Sequence, residues 1–465
     1  MKIVLHHTRV RLLLVILLAL ASHTSAAQWN EKVIYSFQGE PNDGFWPAGG
    51  VVFDKAGNLY GATTGGGPAN CLPIASECGM VFELSPPAKK GDLWTETILY
   101  QFKGKGSNDG SVPSGGVILD GAGNLYGVTA YGGTGDCNIG VSAGCGTVYE
   151  LSPPAKKGDP WTETILHSFT SGKDGYFPWG TLTFDAKGNL YGATQFGGGK
   201  GTSCDPFYQY CGTVFEMNPP RQKGGKWTEK VLHSFAGDKD GANPNGGLVL
   251  DQHGTVYGMT QTGGSQQCYA KGSSVGCGTV FELRPPLKKG SGWEERFLHV
   301  FTDGNDGGLP DFGLIFDGSG SGFYGATRGG GTGQYGVVFH LSNRDGHDET
   351  VLYNFTGAQD GRDPGLPTLD ITGRLYGATF DGGSGFGGTV FRLEKTNTVR
   401  WRLATLHSFT GGRLDGAGPN SPVIFGMNSN IFGTTQAGGT GQNCDSSGCG
   451  TVFELSPEAD SRSVR

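Results

Sequence analysis

The chain has 465 residues, of which 86 are glycine, and its formal net charge is −7. So much glycine disfavours long helices and suits a chain of tight turns, while 11% aromatic residues give enough apolar bulk to exclude a disordered glycine-rich linker. The negative charge disfavours nucleic acid and anionic membranes as partners, because both require a basic surface.

Residues 1–27 are predicted to be a signal peptide. Positive charges begin the chain, an apolar run at 12–21 is too short to span a bilayer comfortably, and small residues at 25–27 offer a cleavage site. No second long apolar run follows, so no membrane span is expected in the mature chain, which should begin near Gln28. We therefore predict a protein secreted to the extracellular space or the periplasm, where disulfides persist.

Residues 28–457 are predicted to form one repeat domain, with a short polar tail at 458–465. The pattern Asp-Gly-x-x-Pro occurs seven times, and a strand-like segment ending in phenylalanine precedes each copy. The seven aspartates are Asp43, Asp109, Asp174, Asp240, Asp306, Asp360 and Asp415. Because the unit recurs through the whole domain, the fold should be that of a repeat protein.

One unit, residues 163–228, contains four short strand-like segments. In order these are ETILHSF, LTFD after the DGYFP turn, LYGAT after the AKGN turn, and GTVFEM after a glycine-rich loop. Each segment is rich in aromatic and branched aliphatic residues and is bounded by turn formers, and none has helical periodicity. Four strands in each of seven units predict an all-β, seven-bladed β-propeller of four-stranded blades. An open β-solenoid is the alternative.

The two ends of the repeat domain predict how the ring closes. The mature chain starts with an ETILHSF-type strand at 31–37 and finishes with a GTVFEL-type strand at 450–455, so the last blade lacks an outer strand of its own. We expect the N-terminal strand to complete that blade, because this removes an exposed sheet edge.

The recurring sequence DGxxP…LxFDxxGNLYGAT…GG…GTVFELSPP resembles the GloVer (Gloeo/Verruco) tandem repeat of secreted bacterial choice-of-anchor proteins, over residues 31–457. The stretch PxGGLVLDxxGxxYG also resembles NHL-type propeller repeats. The first resemblance implies export and surface association, and the second implies the same propeller architecture. The GloVer family has no established catalytic residues to transfer. Its members often end in an apolar sorting anchor, which the final PEADSRSVR does not resemble.

Histidines and aspartates are candidate metal ligands, but their recurrence favours a structural role. Four histidines take the same place on four outer strands, where the other repeats have tyrosine, so a ring would hold them too far apart to share an ion. They are His167, His233, His299 and His407. The Asp-Gly aspartates are suitable calcium ligands at a channel mouth, but they are also routine turn formers. We expect no metal site and no cofactor.

Positions that differ between repeats are better candidates for ligand binding, because a single ligand must break the symmetry of a ring. Exposed aromatic rings can stack on sugars or anchor a protein, and a nearby arginine and aspartate can fix hydroxyl groups. The candidates, in or just after the DGxxP turns, are Phe45, Trp46, Tyr176, Phe177, Trp179, Asp311, Arg362 and Asp363. The alternative is that these rings fill the gaps between blades.

Catalysis has weaker support. The sequence carries no GxSxG, HExxH or Walker motif, and we predict no catalytic residue. Asp311 and Asp363 can act as acid and base only if folding brings them together. We expect a secreted, monomeric binding or scaffold protein whose loop face takes an extracellular glycan or protein. The alternatives are a polysaccharide-cleaving hydrolase or lyase that uses loop-face carboxylates, and a purely structural cell-surface protein.

The ten cysteines fall into five local pairs, each in the loop before a GTVFEL-type strand. The fifth and sixth repeats lack both partners together, as a bond predicts, and the variable spacing argues against zinc knuckles and CxxC motifs. The predicted disulfides are Cys71–Cys78, Cys137–Cys145, Cys204–Cys211, Cys268–Cys277 and Cys444–Cys449. They should stiffen raised loops and leave a notch in the rim near 328–335 and 381–386.

Overall fold

A computed structural model describes residues 29–67, 78–89, 92–137, 143–199, 211–222, 224–264, 276–288, 290–344, 346–396, 400–444 and 446–458. The predicted signal peptide and nearly all of the predicted C-terminal tail lie outside these residues, as do Cys71, Cys204 and Cys268. Within the described ranges, no helix is long and apolar enough to cross a membrane.

The described residues form the seven antiparallel blades of a β-propeller, as predicted, and in blade 7 Gly416–Ala417 and Ala437–Gly438 form a separate two-stranded sheet. Blades 1 and 2 contain Gly44–Phe53, Leu59–Gly66, Met80–Ser85 and Thr95–Gln101, then Gly110–Pro113, Ile118–Leu119, Leu125–Gly132, Thr147–Ser152 and Thr162–Ser168. Blades 3 and 4 contain Tyr176–Pro178, Thr183–Phe184, Leu190–Phe196, Thr213–Asn218 and Thr228–Ser234, then Ala242–Pro244, Val249–Leu250, Val256–Thr262, Thr279–Arg284 and Glu294–Val300.

Blades 5 to 7 repeat this order. Blades 5 and 6 contain Gly308–Pro310, Ile315–Phe316, Gly322–Gly329, Val337–Ser342 and Glu349–Asn354, then Arg362–Pro364, Thr368–Leu369, Leu375–Asp381, Thr389–Lys395 and Trp401–Ser408. Blade 7 contains Gly416–Ala417, Ile424–Phe425, Ile431–Thr435, Ala437–Gly438 and Thr451–Pro457. Short 3-10 turns lie at Lys105–Ser107, Asp238–Asp240 and Met427–Ser429.

The N-terminal strand closes the ring in the predicted way. Trp29–Ser36 pairs antiparallel with Thr451–Pro457, with Trp29 opposite Pro457, and so becomes the outer strand of blade 7. In blades 1 to 6 the order from the innermost to the outer strand follows the chain, whereas the outer strand of blade 7 is Trp29–Ser36. The second and third strands are the most buried, because both of their faces are covered by neighbouring blades.

The Asp-x-x-Gly turns between the first and second strands are stabilised by their own aspartate. In blade 3, Oδ1 of Asp185 accepts hydrogen bonds from the backbone N–H groups of Lys187 (2.8 Å) and Asn189 (2.9 Å). Gly188 has a φ of +84°, which glycine adopts without steric cost. These local bonds explain why the turns could be recognised from sequence alone.

The DGxxP segment proves to be the first half of the innermost strand, and its backbone is unusual. In every blade the residue before the proline has a positive φ, and its N–H donates to a carbonyl of the preceding blade. Phe177, with φ +58°, donates to the oxygen of Cys145 at 3.0 Å. The residues at this position are Trp46, Val112, Phe177, Asn243, Leu309, Asp363 and Gly418. The left-handed conformation therefore aims a donor across each blade junction.

The adjoining proline packs against a glycine at the same junction. A Cβ atom on Gly146 would lie 2.5 Å from Cδ of Pro178, so only glycine fits there. The seven pairs are Pro47–Gly450, Pro113–Gly79, Pro178–Gly146, Pro244–Gly212, Pro310–Gly278, Pro364–Gly336 and Pro419–Gly388. We call this arrangement the proline–glycine contact. It fixes the spacing between neighbouring blades close to the axis.

Farther from the axis, a group of three polar side chains spans six of the seven junctions. Each group, here called a junction triad, combines a tyrosine or histidine of one outer strand, the next DGxxP aspartate, and a glutamate of the following outer strand. The triads are Tyr35–Asp43–Glu96, Tyr100–Asp109–Glu163, His167–Asp174–Glu229, His233–Asp240–Glu295, His299–Asp306–Glu349 and His407–Asp415–Glu31. At the seventh junction, Leu403 replaces the glutamate.

The glutamates of the triads bind their protons unusually tightly. Burial, together with hydrogen bonding and charge from Asp240, raises the pKa of Glu295 to about 9. Burial likewise raises the pKa of Glu96 to about 8, and that of Glu31 to about 7. A protonated glutamate can donate to the adjacent aspartate, whereas two ionised carboxylates would repel each other across the junction.

Alkaline pH should therefore destabilise the ring. Since the ordinary glutamate pKa is 4.5 and the folded values are about 7 to about 9, this stability is complete below 4.5 and is lost as pH rises through the folded values. Melting temperatures measured by circular dichroism should fall across this range. Glu295→Gln, which keeps a neutral side chain, should make the decline shallower. An unchanged slope would contradict the assignment.

The proline–glycine contact yields a second prediction. Gly212→Ala places a Cβ 2.3 Å from the carbonyl oxygen of Thr194 and 2.6 Å from Pro244, whereas Gly188→Ala meets nothing within 4 Å. Both glycines have positive φ, so the backbone penalty of about 1–2 kcal/mol is shared. Urea unfolding should show a clearly larger loss of stability for Gly212→Ala. Equal losses would show that the junction tolerates the added carbon.

Candidate functional site

A cavity of about 340 Å³ is lined by residues of blades 3 to 7, at the ends of the strands nearest the axis. Its lining combines aromatic rings, amides and one ion pair. We call it the axial pocket, and its residues are Trp179, Gln195, Asn245, Gln261, Asp311, Phe312, Arg328, Phe380, Asn420 and Gln436. Blades 1 and 2 contribute nothing to this lining, so the pocket lies to one side of the ring.

Two repeat positions supply nearly all of these side chains. One directly follows the proline of DGxxP, and the other directly follows the threonine of the YGAT-type second strand. In blade 3, Pro178 pairs with Thr194, which brings Trp179 and Gln195 to the same end of the sheet. Blade 1 has the small residues Ala48 and Thr64 at the same two positions. The proline–glycine contact therefore holds the backbone of neighbouring blades in place. The residues after the DGxxP proline and after the second-strand threonine vary from blade to blade.

Asp311 is the centre of the polar network in the pocket. Its side chain is almost fully buried, and it accepts hydrogen bonds from Nη1 of Arg328 (2.9 Å), Nε2 of Gln261 (3.2 Å) and Nδ2 of Asn245. Burial raises the pKa of Asp311, the charge and hydrogen bond of Arg328 oppose that rise, and the charge of Asp363 adds to it. Because both carboxylate oxygens are bonded, Asp311 can hold the three donors in fixed positions.

Other aromatic rings pack behind Trp179, on the side of the indole away from the pocket. Trp179 stacks on Phe177 with ring centroids 5.5 Å apart and an angle of 7° between planes. Phe177 in turn contacts Phe196 at 5.6 Å and Tyr131 at 5.1 Å. The indole is half-buried, so one part of it is fixed and another remains open to the pocket. A preorganised ring of this kind loses little conformational entropy on binding.

Asn420 adds an unused hydrogen-bonding group to the lining. Its Oδ1 is buried and has no hydrogen-bond partner among the residues described. A buried acceptor without a partner carries a desolvation cost of about 1–3 kcal/mol. A hydroxyl group of a ligand in the pocket would satisfy it.

Only some of the ligand-binding residues predicted from the sequence lie in or beside the axial pocket. Trp179 and Asp311 line the axial pocket, and Phe177 lies directly behind Trp179. Phe45 and Tyr176, in contrast, are buried in apolar clusters, at 5% and 6% exposure.

The three other proposed residues lie around the pocket or away from it. Trp46 is half-buried in the same cluster as Phe45. Arg362 is exposed and forms an ion pair with Asp381. Asp363 is half-buried and close enough for its charge to act on Asp311.

Sequence reasoning missed most of the lining. Arg328, Gln261, Phe380 and the other residues that follow the second-strand threonine were not considered, because that strand was read only for its repeating pattern. The signal was present, since this position varies although the preceding threonine is the same in all seven repeats. In chain order it is occupied by Thr64, Ala130, Gln195, Gln261, Arg328, Phe380 and Gln436.

Two junction triads also have the composition of a metal site. In His233–Asp240–Glu295 and Glu31–His407–Asp415, the ligand atoms of each triad lie within 4.8 Å of one another. Tyr35 occupies the histidine position of another triad, and its hydroxyl oxygen lies within hydrogen-bonding distance of both carboxyl groups, of Asp43 (2.9 Å) and Glu96 (2.7 Å). This replacement favours hydrogen bonding between blades over metal coordination as the common role.

The disulfide prediction can be followed in part. Cys137–Cys145 and Cys444–Cys449 are bonded. Cys78, Cys211 and Cys277 are also disulfide-bonded, but their predicted partners lie outside the described residues. The bonded cysteines precede the third strand of their blades, where they adjoin the next innermost strand.

Two further cavities, of about 470 and 500 Å³, open beside blade 7 on the face of the Asp-x-x-Gly turns. They are larger than the axial pocket. Their walls are mainly turn residues and aromatic side chains such as Trp94 and Phe432, and the one at the junction with blade 1 also includes Glu454. Neither has a buried ion pair surrounded by converging amides, so the axial pocket is the better candidate site.

Comparison with solved structures finds proteins of distant sequence and low structural similarity. They include a putative glucose dehydrogenase of Thermus thermophilus (16% identity, 74% of this chain and 96% of that one, TM-score 0.41). Others are a PQQ-bound aldose sugar dehydrogenase of Streptomyces coelicolor (13%, 92% and 98%, 0.41) and PhoX of Pseudomonas fluorescens in complex with vanadate (12%, 92% and 95%, 0.44). Similarities this low carry no argument about function.

No curated protein sequence matches the chain significantly. A family model does, in two consecutive segments that together take in blades 2 to 7 and part of blade 1. The model of the Gloeobacter/Verrucomicrobia repeat matches residues 76–268 and 267–465. The match covers more than half of the chain, which therefore belongs to the Gloeobacter/Verrucomicrobia repeat family.

Proposed function

We propose that this β-propeller is a secreted, non-catalytic protein that binds an extracellular glycan in the axial pocket. The observation that carries the proposal is the half-buried indole of Trp179 in the same pocket as the amides and guanidinium group held by Asp311. An aromatic ring can stack on the apolar face of a sugar, while fixed donors and acceptors bind its hydroxyl groups. Phe312 and Phe380 add apolar surface to the same pocket.

The charges of the pocket favour a neutral ligand. Arg328 and Asp311 form an ion pair at 2.9 Å, and the other polar lining residues are uncharged amides. An anionic sugar would have to compete with Asp311 for Arg328 and would meet the nearby charge of Asp363. A neutral sugar can form hydrogen bonds with the amide side chains without breaking the ion pair between Arg328 and Asp311.

A hydrolase or lyase is the second candidate, and one observation favours it. Asp311 is buried with a raised pKa, and Asp363 acts on it electrostatically, as expected for a pair of carboxylates with different roles. Against this, both oxygens of Asp311 already accept hydrogen bonds from the protein. A general acid needs a proton directed at the substrate.

Replacement of Trp179 tests the proposal. Trp179→Ala should weaken binding to the glycan that wild-type protein recognises on an array by about tenfold or more, because about 1.4 kcal/mol or more of stacking and burial is lost. Isothermal titration calorimetry measures the change. Trp227→Ala is the matched control, because Trp227 packs beside Tyr126 rather than in the pocket, and it should leave affinity unchanged.

Product analysis on the same glycan separates binding from cleavage. Wild-type protein should release neither new reducing ends nor unsaturated sugars. Release of either, abolished by Asp311→Asn, would support the hydrolase or lyase instead. Equal affinity of Trp179→Ala and wild-type protein would reject the axial pocket as the binding site.

A further inference from the structure

The loops that join the second and third strands are shortest in blades 5 and 6. In these blades the connection between the second and third strands is only residues 330–336 and 382–388. The corresponding connections of the other five blades are longer, and each holds a cysteine pair. They are residues 67–79, 133–146, 197–212, 263–278 and 439–450. The axial pocket is therefore bordered on one side by two short loops.

The second strand of blade 6, Leu375–Asp381, connects the axial pocket with the short loop at 382–388. Phe380 lines the pocket, and the next residue, Asp381, accepts a hydrogen bond from Nε of Arg362 at 3.0 Å. Asp381 and Arg362 are also paired across the two innermost strands of the blade. Arg362 is exposed and Asp381 is half-buried, so this ion pair is open to solvent directly beside the pocket.

Phe386, in the short loop that follows, combines exposure with backbone strain. Its side chain is 82% exposed, and its φ is +62°. A positive φ is costly for a bulky residue and persists where it serves a purpose. An exposed aromatic ring in such a conformation suggests a ligand contact.

Blade 5 shows what a purely structural residue does at the same position. Gln334 occupies the corresponding place in the loop and has a φ of +61°. Its Nε2 donates to the carbonyl oxygens of Asp303 (3.1 Å) and Gly331 (3.3 Å), so it stabilises its own loop. Phenylalanine can make neither bond. The substitution of an exposed ring for a bonded amide marks blade 6 as different in function.

We propose that the axial pocket continues over blade 6 as a groove for an oligosaccharide. One sugar unit occupies the axial pocket between Trp179 and Phe380. The following units cross the Arg362–Asp381 ion pair, whose exposed polar atoms bind hydroxyl groups, and a distal unit stacks on Phe386. This inference rests on the proposed function, and it names the ligand as a chain of sugars rather than a single residue.

The groove predicts that affinity depends on the length of the sugar chain. The probes are cello-, manno- and xylo-oligosaccharides of one to six units, measured by isothermal titration calorimetry with full-length mature protein. For the series that binds, affinity should increase about tenfold or more between the shortest ligand that binds and the hexasaccharide. Phe386→Ala should remove most of that increase and leave the affinity for the shortest ligand unchanged.

Two variants keep the groove and the pocket distinguishable. Ile371→Ala removes a fully exposed apolar side chain from an Asp-x-x-Gly turn, and it should change neither value. Trp179→Ala should weaken binding at every length. If Trp179→Ala does so while affinity is independent of length, or Phe386→Ala has no effect, the groove is rejected and the axial pocket stands. Failure of wild-type protein to bind any glycan, in these three series and on the array, would overturn both.

Discussion

Every junction in the ring depends on the same pair of interactions close to the axis. A proline of one blade packs on a glycine of the preceding blade, and the residue before the proline turns into a left-handed conformation to donate its N–H across the same boundary. Neither interaction uses a side chain that varies between blades. The residue before the proline contributes only its backbone N–H, but it must adopt a positive φ. The glycine has no substitute, because a Cβ would overlap the proline ring.

This arrangement explains how a repetitive ring can hold an asymmetric pocket. The residue after the proline and the residue after the second-strand threonine lie next to the fixed contact, but they take no part in it. Their identity is therefore free to change from blade to blade. Blades 1 and 2 keep small residues there, whereas Trp179, Asp311 and Arg328 form the pocket on the opposite side. The axial pocket therefore combines a backbone that is the same in every blade with two side-chain positions that differ between blades.

Much of the fold was predictable because its signals are local and repeated. The aspartate turns bond their own backbone, the strands alternate with turn residues, and the ends of the chain showed which strand was missing from blade 7. The site was harder to predict. Trp179 and Asp311 were found because they vary between copies, but Phe45 and Tyr176 vary as well and are buried. Whether a variable ring points to the axis or between blades depends on strand register, which composition does not encode.

The junction triads were partly foreseeable in the same way. The histidines and aspartates were recognised as structural candidates, but the glutamate lies on the blade after the one that carries the tyrosine or histidine, at a sequence separation that no local pattern reveals. Tyr35 and Glu96, for example, are joined by a hydrogen bond of 2.7 Å. Proton sharing between such partners is a property of the assembled ring and not of one repeat.

The strand exchange in blade 7 also imposes an order on folding. Trp29–Ser36 is synthesised before every other described strand of the ring, whereas its partner Thr451–Pro457 is synthesised after them. Blades 1 to 6 can pair locally as they appear, while the first strand must wait as an unpaired edge until the whole domain is available. The last event is thus a contact of very high sequence separation, the slowest kind to form by diffusion of the chain. Until it forms, both ends of the array are open to pairing with another copy.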